Sequence, residues 1–177
     1  MGSQRTDKFH PLLIVLHWLT LLLLVAVYCC IELRGLFPHG MRDVLKAWHF
    51  IFGITIFVLT PIRLLLSFVT RSPPIVPPCP GWQMFLAKSM EYVLYALLLA
   101  MPLLGYLAIN ADGRAVDIFG IHLPVLIGPG LALEERLSGM HSLLGRLAYL
   151  LIAAHAGAAL YHHYVQRDNT LRRMLLR

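Results

Sequence analysis

The sequence predicts an all-α fold, an integral membrane four-helix bundle with both termini cytoplasmic. Three observations carry this: an apolar content of 58%, a mean hydropathy of +0.70, and four separate stretches of about twenty apolar residues, each long enough to cross a bilayer. Soluble domains run at roughly 45–50% apolar residues. A chain of 177 residues is about one domain and has too little interior to hide the surplus from water.

The first span is read over 11–31, a run with no acidic or basic residue that begins at Pro11, where a missing N–H costs nothing. The second covers about 44–69 with one internal cation, Arg63. The third, about 85–111, carries no charge after Glu91, and the fourth, about 137–165, has Arg146 inside it. Pro61 and Pro102 fall within the second and third spans, where kinks are expected if neighbours satisfy the freed carbonyls. The stretch 118–133 is also uncharged, but Gly120, Pro124, Gly128, Pro129 and Gly130 would interrupt a helix repeatedly, so an ordered loop at the membrane surface is expected. The proline-rich linker 72–81 should be extended. The apolar run near the N-terminus is longer than a signal h-region of roughly 7–15 residues and no A-x-A site follows, so it is read as retained.

The cations set orientation. Arg5, Lys8, Arg71, Lys88, Arg167, Arg172, Arg173 and Arg177 flank one side, against Arg34, Arg42, Lys46, Arg114 and Arg136 on the other. The positive-inside rule places the first side, with both termini and the linker, in the cytoplasm. The excess of 15 Lys and Arg over 9 Asp and Glu is thus topogenic; no basic run is interleaved with aromatics, and no nucleic-acid partner is expected. Cys29, Cys30 and Cys79 show neither CxxC nor Cys/His spacing and are read as packing residues. Trp18, Trp48 and Trp82 read as interfacial anchors.

Ionisable residues inside a span are costly, and their presence points to function. His17 lies near the cytoplasmic start of the first span and His49 near the outer start of the second; in the fourth, His141 is outer and His155 inner. Fourteen residues separate His141 from His155, four turns of a bundled helix, so both project from one face. At 1.5 Å per residue they stand about 21 Å apart. His49 is then level with His141, and His17 with His155. Bundles build cofactor sites from facing helices in this manner, and each level offers two imidazoles to one haem iron, a closed coordination suited to electron transfer. The competing reading is that these histidines bond backbone carbonyls or line a proton path.

Gly53, Gly145 and the run 156–159 place small residues one turn from the histidines, leaving room for a macrocycle or for close helix packing. Arg63 is fourteen residues after His49 and either pairs with a haem propionate or snorkels to the headgroups. His162, a heptad beyond His155, faces a quinone carbonyl or a propionate, or, with His163, is plain interfacial polarity. His10, His39 and His122 carry no assignment, and Arg146 none either.

The stretches Leu16-His17-Trp18, Trp48-His49 with Gly53 and Arg63, Gly139-Met140-His141, and Ala154-His155 leading to His162-His163 resemble the prokaryotic cytochrome b561 family. The segment Asp117-Ile118-Phe119-Gly120 with Pro124, and the tail Asp168-Asn169-Thr170-Leu171-Arg172-Arg173-Met174, resemble it too. The similarity covers the chain after Asp7. It implies a multi-pass protein of the bacterial inner membrane with two b-type haems, axially held by His17, His49, His141 and His155, that exchanges electrons with ubiquinone. Some relatives pass electrons from superoxide to quinone. Relatives often carry a lysine in the proline-rich linker, where Pro77, Pro78 and Cys79 stand here.

The expected activity is therefore that of a superoxide:ubiquinone oxidoreductase, moving electrons across the bilayer from a small anionic periplasmic donor to ubiquinone. Arg34, His39, Arg42 and Lys46, crowded just before His49, either attract such an anion or are ordinary headgroup-facing cations. Two alternatives stand beside it: a non-catalytic haem-bearing anchor relaying electrons from a soluble dehydrogenase or hydrogenase partner, and a metal or proton transporter using the same histidines.

Overall fold

In a computed structural model, described over residues 8–118 and 120–176, the chain is four long helices. They are α1 (Pro11–Glu32), α2 (His39–Val69), α3 (Gly81–Ala111) and α4 (Leu131–Tyr164). All four are long and apolar enough to cross a membrane. Arg5, Phe119 and Arg177 lie outside the described residues.

α1 starts where expected, and His10 caps it, its Nδ1 accepting from the Leu12 N–H at 3.3 Å. The other three helices begin four to six residues before the apolar runs do, immediately after Pro38, Pro80 and Gly130. The lipid-matched length sets the hydropathy signal, whereas the backbone stays helical into the interface until a residue unsuited to the interior interrupts it. Both helices run through Pro61 and Pro102 without a break in the assigned helix.

Large apolar side chains face outward on every helix, among them Leu22 (66% exposed), Leu65 (65%), Phe85 (71%) and Leu150 (69%). This is the surface lipid would cover. Thr20 and Thr60, both buried, satisfy their hydroxyls locally by donating to Leu16 O and Ile56 O at 2.7 Å. The cysteines are free, with Cys30 buried.

α1 packs along α2, α2 against α3, and α3 along α4. The α1–α4 side is bridged by side chains. Tyr28 and Tyr149 stack with centroids 4.1 Å apart, Tyr28 donates to Gly145 O at 3.0 Å, and Tyr149 donates to Glu32 at 3.0 Å.

The α3–α4 connection is ordered, as expected, and contains a short antiparallel hairpin, β1 (Asp117–Ile118) with β2 (Ile121–His122). Gly113, at φ +77°, ends α3 in the left-handed conformation a helix C-terminus favours. Buried Asn110 accepts from Leu126 N at 2.8 Å and Tyr106 donates to Pro124 O, tying the connection onto α3.

At the opposite end the chain turns back at Arg167, φ 57°, and the tail lies against the start of α1 and the proline-rich linker. Phe9 N donates to Arg173 O at 3.1 Å, Trp18 Nε1 to Met174 O at 2.8 Å, and Val76 N to Asn169 Oδ1 at 2.8 Å. The described ends of the chain, Lys8 and Leu176, therefore lie at one end of the bundle, here the terminal end, and the α1–α2 and α3–α4 connections lie at the loop end.

Candidate cofactor site

A cavity of about 1060 Å³ runs through the bundle, at the upper limit of usual small-molecule pockets. Its lining includes His17, His155 and Arg63 towards the terminal end, and His49, His141 and Lys46 towards the loop end. The four spans thus place four histidines on one continuous interior.

The rings meet in the two pairs that the spacing anticipates. His17 and His155 have centroids 6.2 Å apart, and His49 and His141 6.1 Å. An imidazole nitrogen sits about 2.0 Å from a metal ion, so two imidazoles on opposite sides of one iron have centroids roughly 6 Å apart. Among the described residues no group of three or more His, Cys, Asp or Glu is placed to hold a metal ion. Two imidazoles are too few for a bare ion that takes four protein ligands. They are what an iron already held by four pyrrole nitrogens lacks, so the residues present fit a haem at each level.

The second ring nitrogens sharpen the fit at the loop end. His49 Nδ1 lies 3.0 Å from Val27 O and His141 Nδ1 3.0 Å from Met101 O. A carbonyl only accepts, so both Nδ1 atoms carry the proton, which leaves Nε2 as the metal-binding nitrogen in the arrangement typical of ligating histidines. Gly105 stands against His141: a Cβ there would meet Cε1 at 3.2 Å and Nδ1 at 3.3 Å. That contact gave no sign in the sequence, because α3 contributes no histidine to the pairs.

His17 differs. Its Nδ1 is 2.9 Å from Arg63 Nη2, and a guanidinium only donates. A neutral His17 then carries its proton on Nε2, so binding metal there requires Arg63 to withdraw. The Arg63 side chain points inward, its Cζ 5.3 Å from the Tyr95 ring centroid, rather than snorkelling outward.

His162 is absent from the cavity lining. Its Nδ1 lies 2.6 Å from Asp168 Oδ2, with the Asp168 side chain 2% exposed. Burial pushes the Asp168 carboxyl up, but hydrogen bonds from His162 and Thr170 outweigh it and hold the carboxyl below its ordinary range. Gly53, Gly145, Ala156 and Ala159 line the cavity; Gly157 and Ala158 do not. Arg146 also lines it, on an exposed stretch of α4. At the loop-end mouth, Arg34, Lys46 and Arg114 line the cavity, whereas His39 and Arg42 do not. Lys46 is paired with Asp43 at 3.2 Å, and Arg42 Nε donates to Phe37 O at 2.7 Å.

Fold and site together define an integral membrane protein whose bundle interior presents facing imidazoles at two depths. The family model for prokaryotic cytochrome b561 matches residues 8–177. The chain is 40% identical over 97% of its length to cytochrome b561 homolog 1 of Escherichia coli K12, covering 98% of that protein. It is 38% identical over 95% of its length to the probable superoxide oxidase CybB of Yersinia pestis, covering 96% of it. With cytochrome b561 homolog 2 of Escherichia coli K12 it shares 25% identity over 98% of its length and 94% of that protein. The chain belongs to the prokaryotic cytochrome b561 family: it is a multi-pass b-type haem protein of the bacterial inner membrane with a role in electron transfer.

Proposed function

We propose that this protein is a di-haem cytochrome that moves electrons across the membrane from periplasmic superoxide to ubiquinone, in which His17 and His155 would hold one haem and His49 and His141 the other. The observation that carries the reading is the spacing of the two imidazole pairs, 6.2 and 6.1 Å. When bound, each haem supplies a one-electron iron couple. Two superoxide ions each lose one electron and leave as dioxygen, and one ubiquinone takes up two electrons and two protons to become ubiquinol.

The termini and the tail face the cytoplasm in this reading, since the cations flanking that end outnumber those at the loop end. Arg34, Lys46 and Arg114 then line the periplasmic mouth beside Glu32 and Glu134; Lys46 and Arg114 are paired with Asp43 and Asp112, and Arg34 is left to raise the local concentration of a small anion. Val27 O and Met101 O fix the tautomer and ring orientation of His49 and His141. Arg63, displaced from His17 Nδ1 when that ring takes metal, is the guanidinium left to bind a propionate. Ubiquinone binds at the cytoplasmic end, where His162 Nδ1 donates to Asp168 and leaves Nε2 as an acceptor for a hydroxyl of the ubiquinol formed. The relative named as a probable superoxide oxidase supports the choice of donor.

The test is haem content and visible spectrum of four purified variants. His17→Ala and His155→Ala should each lose one haem, His49→Ala and His141→Ala the other. If His17→Ala and His49→Ala abolished the same haem and spared the second, the pairing would be wrong. The wild-type protein, supplied alone with enzymatically generated superoxide and ubiquinone, should turn over. A protein that holds two haems but turns over only with a soluble dehydrogenase present is the anchor subunit instead.

A further inference from the structure

The tail after α4 ends in a group the activity has not used. Arg173 is buried, 9% exposed, with Nη1 donating to Pro73 O at 2.5 Å and Cζ 5.4 Å from the Phe9 ring centroid. Its Nε is buried with no hydrogen-bond partner among the described residues, and the residue lines the same cavity as His17 and His155. A buried, unpaired guanidinium N–H leaves its desolvation uncompensated unless an acceptor reaches it.

Among the described residues no carboxylate bonds that N–H. Among the described residues the acids at the terminal end are Glu91 and Asp168. Glu91 Oε2 is held by Lys88 Nζ at 2.7 Å, and Asp168 by His162 at 2.6 Å and by Thr170 N at 2.8 Å. The tail is also fixed at the depth of His17. Trp18 Nε1 donates to Met174 O, and the Trp18 ring lies 5.4 Å from the His17 ring, edge to face.

We propose that Arg173 binds a propionate carboxylate of the tetrapyrrole held between His17 and His155, so that the C-terminal tail is the floor of that haem site. This rests on the di-haem reading above. A porphyrin of haem b carries two propionates, and Arg63 and Arg173 are the two guanidinium groups lining this end of the cavity. A buried positive charge beside the haem favours the reduced iron, whose net charge is lower by one. Removing it shifts the couple towards the oxidised form.

The experiment is optical redox titration of the purified holoprotein for wild type, Arg173→Gln and Arg173→Lys, with the rate of haem transfer to apomyoglobin as a second readout. The His17→Ala and His155→Ala spectra identify the haem concerned. Arg173→Gln should lower the midpoint of that haem by at least the equivalent of a tenfold change in its oxidation equilibrium, about 59 mV for a one-electron couple. Its release should quicken at least threefold, and Arg173→Lys should recover most of the midpoint. The haem between His49 and His141 should be unchanged, which also reports an intact fold. Unaltered midpoints with unaltered release overturn the proposal, as does an equal shift of both haems. Unaltered midpoints with slower ubiquinone reduction also overturn it and assign Arg173 to the quinone instead. A wild type with fewer than two haems, or His17→Ala and His155→Ala losing different haems, refutes the di-haem reading before Arg173 is tested.

Discussion

Gly105→Ala is a one-methyl perturbation aimed at one histidine pair. The added Cβ would sit 3.2 Å from His141 Cε1, short of the optimal carbon–carbon separation of about 3.5–4.0 Å by roughly 0.3 Å or more. His141 cannot retreat freely, because its Nδ1 is bonded to Met101 O on the same helix as Gly105. Metal sites tolerate displacements of about 0.2 Å in ligand distance, so the ring has to move further than the site allows. Overpacking of this kind costs about 1–3 kcal/mol, while alanine in place of glycine returns up to about 1 kcal/mol of helix propensity. The fold should survive with unchanged helicity, and the cost should appear as a roughly 5- to 150-fold weaker hold on the loop-end haem. The assay is haem transfer to apomyoglobin, followed at the wavelengths distinguishing the two haems. Loss of both haems at the wild-type rate would refute the reasoning, because His141 would then have accommodated the methyl without cost.

Asp168→Asn should loosen the tail, costing about 1.5–3 kcal/mol for a hydrogen bond to a charged group, and proteolysis after Tyr164 reads it. The Asp168 carboxyl is held below its ordinary value of 3.8, so the ionised carboxylate stabilises the tail fully above that pH. Acid should release the tail only as pH falls through the depressed folded value; wild-type release between pH 5 and 6 would contradict this. Charge reversal at Arg34 or Lys46 should slow haem reduction by superoxide severalfold at low ionic strength, with the difference fading as salt is raised to about 1 M; stopped-flow absorbance gives the rates. His162→Ala should retain both haems and slow oxidation by ubiquinone at least tenfold, and unchanged quinone kinetics would remove His162 from that site.

The spans and the depth of each histidine were legible because hydropathy and helical period both act along the chain. Fourteen residues between His141 and His155 determine facing and height once the helix is granted, and the alternation of spans supplies the partners. Interactions that cross the chain left no such trace. The Gly105–His141 contact depends on how α3 packs on α4, and nothing in the sequence around either residue records it. The partners of His49 and His141 are backbone carbonyls, which carry no residue signature. Asp168 reaches His162 only because Arg167 reverses the chain in a left-handed conformation, so a residue that reads as tail is folded back beneath the bundle. Arg173 was visible as one more positive charge at the terminal end and as part of the tail resembling the family, but not as a buried group. Its burial follows from the same reversal.

Three sides of the bundle are closed by helix running against helix, and the fourth by two tyrosines and a glutamate. Parting packed helices in a bilayer is a slow collective motion, whereas turning an aromatic side chain is fast. The seam between α1 and α4 is thus a hinged door in a wall otherwise made of solid panels. A flat molecule entering from the lipid would displace fewer helix–helix contacts at this seam than at any other.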